Sequence, residues 1–251
     1  VGYLTRTVQY TRAVLRRALN QAVKWGLVPR NVTGVVDPPK GERKEREFLS
    51  PDEVRTFLGA LAGHRLEPLF VTAIALGLRK GKLLALRWRD GDLAGGKLSV
   101  RGTMQVIEGK PVVMDTKTKE SRRTIALPAM VARALSKQKV MQVDARLRAG
   151  MRWRQTEYVF TSTVGTPLGG RNLSTALDKI LAGAGLPHIR FHDLRHLAAS
   201  ILLDGKRVRL KDVSALLGHS NTVVTQTIYE HLLDNSGRAV ADEMDRFFGT
   251  S

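Results

Sequence analysis

Apolar residues first fall at helical spacing at Leu4, Val8, Leu15, Leu19, Ala22 and Trp25, with Arg and Gln on the opposite side. The pattern predicts a long amphipathic helix ended by Gly26 and Pro29. One helix cannot bury such a stripe alone. The chain opens on Val1 almost directly in this pattern, which reads as a piece whose N-terminal part, with the packing partners, has been removed. Residues 38–47, PPKGERKERE, then break all periodicity and read as a linker. A helix start follows at once, with Ser50 as N-cap, Pro51 in the first turn and Glu53 completing a capping box.

Beyond the linker, helical spacing recurs at 51–62, 66–76 and 80–89. Alternating runs replace it at 97–101, 104–107, 112–113 and 122–127, with Glu108-Gly109 as a hairpin turn. Helical spacing returns at 128–148, 171–183, 192–204, 210–217, 222–230 and 236–247, and no internal repeat is present. The order of helices, a small antiparallel sheet and helices again predicts a mostly α fold with one such sheet, of α+β type. Three segments are expected: 1–37, the linker 38–47, and a domain over 48–251.

Charge narrows the function. The 251 residues hold 41 Lys+Arg against 23 Asp+Glu, a formal net charge of +18. Residues 1–47 contribute 10 basic and 4 acidic residues, and the rest 31 and 19, so both parts are net basic. A folded chain with that excess points to a polyanion, nucleic acid above all. With no Cys, a disulfide scaffold, a cysteine–zinc site and a thiol nucleophile are excluded. The longest apolar stretch, 69–78, is about half of the roughly 20 residues that a spanning helix needs, so no membrane partner is expected. The opening residues lack the apolar core of a signal peptide.

Candidate chemistry gathers late in the chain, where five of the six histidines lie between His188 and His231. In FHDLRHLAAS (191–200), His192, Arg195 and His196 are spaced to share one helical face. A His pair four apart is also zinc-helix spacing, but Asp193 stands where the Glu base would be and Arg195 would set a cation beside the metal. Alone, the segment is better read as a capped helix with a core histidine than as a metal site. Other segments change that balance. Arg79 follows an apolar helix and a glycine in GLRKGKLLALRWRD, Lys117 sits at a turn in DTKTKESRRTIALP, and LLGHSNTVVTQTIYEH carries His219 and Tyr229.

Two Arg, a Lys, two His and a Tyr meet the needs of phosphoryl transfer to a tyrosine. Cationic donors hold the non-bridging oxygens where negative charge builds up, and Arg does so with a planar fork. Lys or His can protonate the leaving alkoxide, and His can take the tyrosine proton. Of the four tyrosines, Tyr3 and Tyr10 precede the linker and Tyr158 lies in the strand-like TEYVF. Tyr229 alone lies beside the histidine cluster.

With these residues in hand, 48–251 resembles the tyrosine recombinases of the bacteriophage-integrase type. The resemblance is carried by GLR (77–79), TKTKESRR (116–123), HDLRH (192–196), LLGH (216–219) and Tyr229 with its following Glu-His. It implies that Arg79 and Arg195 clamp the scissile phosphate and that Lys117, on a β-hairpin, protonates the 5′-hydroxyl leaving group. It further implies His192 as general base, His219 as phosphate donor, and Tyr229 as nucleophile forming a 3′-phosphotyrosine. The ester keeps the bond energy, so no cofactor and no metal is implied. Residues 1–37 look like the last helices of a truncated core-binding domain, gripping DNA together with the catalytic domain.

The implied partners are double-stranded DNA and further copies of the chain, a dimer on a site and a tetramer at the synapse. The implied location is the cytoplasm of a bacterium or phage-infected host, at the nucleoid. Lys80, Arg87, Arg89, Lys119, Arg122, Arg123, Lys44 and Arg46 are candidate DNA contacts of the kind that position without reading sequence.

One departure stands out. Three residues after the first Arg the family usually carries Glu or Asp, which orients the arginines, and here stands Lys82. An ammonium there removes an ion-pair partner and adds repulsion, at a cost of ~3–5 kcal/mol if both charges are partly buried. Losing even ~2.7 kcal/mol of transition-state stabilisation is about a hundredfold in rate. The alternative is that Lys82 turns outward and another carboxylate substitutes. Leu197, where Ser or Thr is common, is expected in the core. Two rivals remain: a DNA-binding module with impaired cleavage, and type IB topoisomerase-like relaxation.

Overall fold

The stripe at the start of the chain forms α1 (Gly2–Lys24). In this computed structural model, residues 2–39, 49–115, 122–204 and 208–218 are described. The chain divides into two compact units, Val1–Arg46 and Glu47–Ser251. In the first, Arg12 Nη2 donates to Thr33 O at 2.8 Å and to Val36 O at 2.7 Å, tying the segment after α1 back along it. Asn31 Oδ1 accepts from Thr33 N and caps the single 3-10 turn there. Val8, Leu15 and Trp25 stay exposed, as expected of a stripe that one helix cannot bury.

The second unit begins with α2 (Pro51–Ala60), capped as its sequence predicts. Ser50 Oγ accepts from Glu53 N at 3.3 Å, and Glu53 Oε2 accepts from Ser50 N at 2.7 Å. Next, α3 (Glu67–Leu76) is apolar all round and sits at the centre, packed on α5 and α7. Phe70 stands edge-on to Phe57 of α2, ring centroids 5.9 Å apart, and 6.1 Å from the Phe191 ring.

Helical spacing over 80–89 overstates α4, which spans only Lys80–Leu84. After Ala85 the chain extends briefly, and Arg87 pairs with Tyr158 of the strand-like run ahead of it before a 3-10 turn at Trp88–Asp90. Val159 N donates to Leu86 O and Trp88 N donates to Glu157 O, both at 2.9 Å. Those bonds replace the helical ones, so Leu84, Ala85 and Leu86 are buried in succession rather than on one face. Gly81 lets α4 come close to the sheet residues below it. A side chain there would meet Thr103 Oγ1 at 2.6 Å and the Met104 carbonyl at 2.7 Å.

The single predicted sheet resolves into two. β1 (Gly91–Asp92), β2 (Lys97–Val100) and β5 (Arg123–Ala126) form one antiparallel sheet in the order β1-β2-β5. β3 (Gly102–Ile107) and β4 (Lys110–Asp115) form a separate hairpin. Its two-residue turn, Glu108-Gly109, has φ of 50° and 77°, the left-handed pair that matches strand twist. The break falls at Arg101, beyond which β3 pairs only with β4 and the chain returns to the first sheet at β5.

The later helices are α5 (Ala129–Ala149), α6 (Gly170–Gly183), α7 (Asp193–Asp204) and α8 (Leu210–Leu217). Two glutamines fasten α5 to the strand-like run. Gln138 Nε2 donates to Val159 O at 3.0 Å, and Gln142 Nε2 to Tyr158 O at 2.9 Å while its Oε1 accepts from Trp88 Nε1. The helices expected at 222–230 and 236–247 lie outside the described residues. Among the described residues, no helix is long and apolar enough to cross a membrane.

Candidate active site

Four cations from three elements meet near the ends of α3 and α8. Helix α3 stops at Gly77, in the left-handed conformation with φ 55°, and the turn puts Arg79 at the N-cap of α4. Arg79 is exposed, and its carbonyl accepts from Lys82 N at 2.8 Å. Arg195 comes from the first turn of α7 and is only 3% exposed. Its Nη1 donates to Gly77 O at 2.9 Å and to Leu217 O at 2.7 Å, joining the end of α3 to the end of α8. A guanidinium suits a helix C-terminus, where unpaired carbonyls carry partial negative charge.

Arg123, the first residue of β5, makes a parallel contact. Its Nη2 donates to Leu216 O at 2.6 Å. Gly218, the residue after α8, lies so close that a side chain would strike Arg123 Nη1. Arg123 Nε and Nη1 are buried and have no hydrogen-bond partner among the described residues. Burial, and then Arg79, lower its pKa to about 10, so it stays protonated at neutral pH.

Lys82 completes the group, and it points inward. It is 5% exposed, which removes the outward-turned alternative. Burial is the largest influence on its ammonium, followed by repulsion from Arg123, Arg79 and Arg195, and together they bring its pKa from 10.5 down to about 8. Sequence reasoning placed Arg123 only among general DNA contacts. What it lacked was register: the pairing of Val100 with Arg123 starts β5 at the site's edge.

The histidines divide. His192 is exposed just before α7, and His196 is 4% exposed, with the two rings edge-on at 5.1 Å. The shared face is therefore real, with one histidine at the surface and one in the core. Asp193 Oδ2 accepts from Arg190 N at 2.8 Å, an end-of-helix contact. Among the described residues no three His, Asp or Glu side chains could hold a metal ion. Leu197 is in the core, as expected. Lys117, His219 and Tyr229 lie outside the described residues, as do Lys44, Arg46 and Lys119.

Some candidate DNA contacts are engaged within the fold. Lys80 Nζ donates to Ser174 Oγ at 3.2 Å and Gly170 O at 3.3 Å, at the start of α6. Arg87 lies over the Tyr158 ring at 5.7 Å and 3.9 Å from Glu157. Arg89, more exposed, is 3.3 Å from the same carboxylate. Arg122 is exposed beside Arg123.

Comparison with known proteins closes the question of family. The model of the phage integrase family matches residues 47–236. The chain belongs to that family, the tyrosine recombinases, which are DNA strand-transferring enzymes. It is 33% identical to a XerC-like tyrosine recombinase of Caldanaerobacter subterraneus subsp. tengcongensis, over 98% of this chain and 68% of that one. The fold is shared with the Tn1549 transposon integrase in complex with transposon right end DNA. There the TM-score is 0.82 at 19% identity, over 95% of this chain and 79% of that one. A lambda integrase dimer bound to a core site aligns with a TM-score of 0.61 at 23% identity, over 86% and 70% of the two chains.

Proposed function

We propose that the chain is a site-specific recombinase that cuts and rejoins DNA strands through a 3′-phosphotyrosyl intermediate, integrating or excising a mobile element. The observation that carries this reading is that Arg195 joins the end of α8, two residues short of His219, to the Gly77 carbonyl, two residues before Arg79. Two guanidiniums from separate elements, one of them held by carbonyls, are suited to an in-line phosphoryl transfer. Tyr229 Oη attacks the scissile phosphorus and loses its proton to His192. The phosphorus–oxygen bond to the 5′ side breaks, and Lys117 protonates the departing 5′-hydroxyl. A 5′-hydroxyl from a second strand reverses these steps, so bond energy is conserved without a cofactor. His219 donates to a non-bridging oxygen.

The two solved structures named above hold DNA, one of them as a dimer. Here the partners are double-stranded DNA and copies of the chain, two on a site and four at the synapse. The first unit contributes the end of a core-binding domain, and the protein works in a bacterial or phage-infected cytoplasm. The test is a nicked duplex spanning the element's ends, which traps cleavage, run on a denaturing gel. A covalent adduct is expected, absent with Tyr229→Phe while binding on a native gel persists. An adduct that survives Tyr229→Phe would sink the assignment of the nucleophile. The buried Lys82 favours one second reading, a DNA binder with impaired cleavage. Binding without an adduct, restored by Lys82→Glu, would establish it.

A further inference from the structure

The two clamp arginines account for only half of the positive charge gathered at this site. Lys82 stands where a carboxylate would hold the arginines, yet it is buried and faces Arg79, Arg123 and Arg195. Arg123 spends one nitrogen on the Leu216 carbonyl, and its buried Nε and Nη1 have no hydrogen-bond partner among the described residues. Buried donors in that state are costly until an acceptor reaches them. A tetrahedral oxyanion would bring the Arg123 donors several acceptor oxygens and negative charge in one compact group.

We propose that Lys82 and Arg123 are phosphate-contacting groups, so that this active site holds the phosphoryl group with four cations and binds a free tetrahedral dianion by the same chemistry. The inference rests on the recombinase reading for its DNA arm only. A phosphodiester in the ground state carries one negative charge, and the five-coordinate transition state carries more. Four cations therefore favour the transition state over the bound substrate, which is the differential that raises a rate. Lys82 thus compensates in charge for what it takes away in orientation. Arg123 is tied to α8 through Leu216 O, which limits the freedom its guanidinium loses on meeting an anion.

Titration gives this arrangement a signature. Among the described residues, the charged groups that lower the Lys82 pKa are Arg123 on β5, Arg79 at the start of its own helix and Arg195 on α7. Arg123, at about 10, keeps most of its charge through pH 9. Sulfate stays a dianion throughout that range, so a change in its binding between pH 7 and 9 reports the protein. In the free protein Lys82 begins to lose its proton near pH 8, and a bound dianion restores it, so sulfate binding takes up a proton.

The experiment is thermal unfolding of the full chain in sodium sulfate and in sodium chloride at equal ionic strength, with sulfate affinity taken from the concentration dependence of Tm. Sulfate is expected to stabilise the native chain beyond chloride. Arg123→Gln and Lys82→Met should each weaken its apparent affinity by roughly tenfold or more. The native chain should lose sulfate affinity from pH 7 to 9, and Lys82→Met should lose far less over that range. Arg123→Lys, which keeps a donor and the charge, should recover part of the loss and guards against a folding defect in Arg123→Gln. On nicked duplex, both truncating variants should cut more slowly by a larger factor than they lose DNA affinity. Equal sulfate stabilisation in native and variant chains would overturn the proposal, as would a pH profile that Lys82→Met leaves unchanged. A native chain that binds sulfate this way yet forms no DNA adduct would instead refute the recombinase reading and leave the anion site standing.

Discussion

An ammonium enclosed by three guanidiniums disfavours its own charged form, and the folded chain bears that cost. For Lys82 the sign follows from the depressed pKa. Below about pH 8 the group is charged in folded and unfolded chains alike, and the full penalty is present. Between about 8 and its ordinary 10.5 the unfolded chain binds more protons, so stability rises with pH. Lys82→Met is expected to stabilise the protein without DNA by roughly 1–3 kcal/mol at pH 7, a few degrees in Tm at this size. The advantage should shrink toward pH 10, and a difference between variant and native Tm that stays constant from pH 7 to 10 would refute this account. The sequence showed that position 82 breaks the family's pattern but left its direction open. Direction is decided by the seat of α4 on β3 and by Arg195 reaching Gly77, and both are long-range contacts. Arg123 was legible as a cation near a phosphate, and its tether to Leu216 was not, because that bond joins residues 93 positions apart.

Short α4 owes its position to close approach rather than to length. A five-residue helix has little stability of its own, so contact with β3 and the N-cap turn at Arg79 fix it. Gly81→Ala would press a methyl group onto the Met104 carbonyl, which cannot rotate away. The expected cost is about 1–3 kcal/mol, and cleavage should fall further than stability, because Arg79 and Lys82 flank the displaced residue. Unfolding monitored with single-turnover cleavage would test this, and a native-like rate in a destabilised variant would show that α4 can shift without moving the clamp. Elements with a strong local signal were the legible ones. The capping box at Ser50, the Glu108-Gly109 turn and helices α2, α3, α5, α6 and α8 stand within a few residues of their predicted bounds. Helix α4 and the division into two sheets were missed for one reason. In both, backbone groups pair with a distant segment, 157–159 in one case and β5 in the other, and residue spacing carries no record of a partner.

For the molecule as a whole, the surplus of 18 positive charges is spread over both units, and the two kinds of positive charge should behave differently toward salt. A solvated Lys or Arg on a DNA phosphate acts by releasing counterions, so each such contact contributes roughly −0.9 to the slope of log affinity against log salt on duplex DNA. On the proposed reading Arg122, exposed on the edge beside the site, makes a contact of this kind. Arg122→Gln should make the slope shallower by about one such contact and weaken binding evenly across sequences. Lys82 is enclosed and shares its field with three arginines, so at neutral pH its removal should change cleavage far more than the salt slope. Filter binding of a single duplex at four salt concentrations, for native, Arg122→Gln and Lys82→Met chains, separates the two. If Lys82→Met flattened the slope as much as Arg122→Gln while cutting at the native rate, Lys82 would be one more surface contact. The division of this protein's charge into a binding surface and a chemical site would then be wrong.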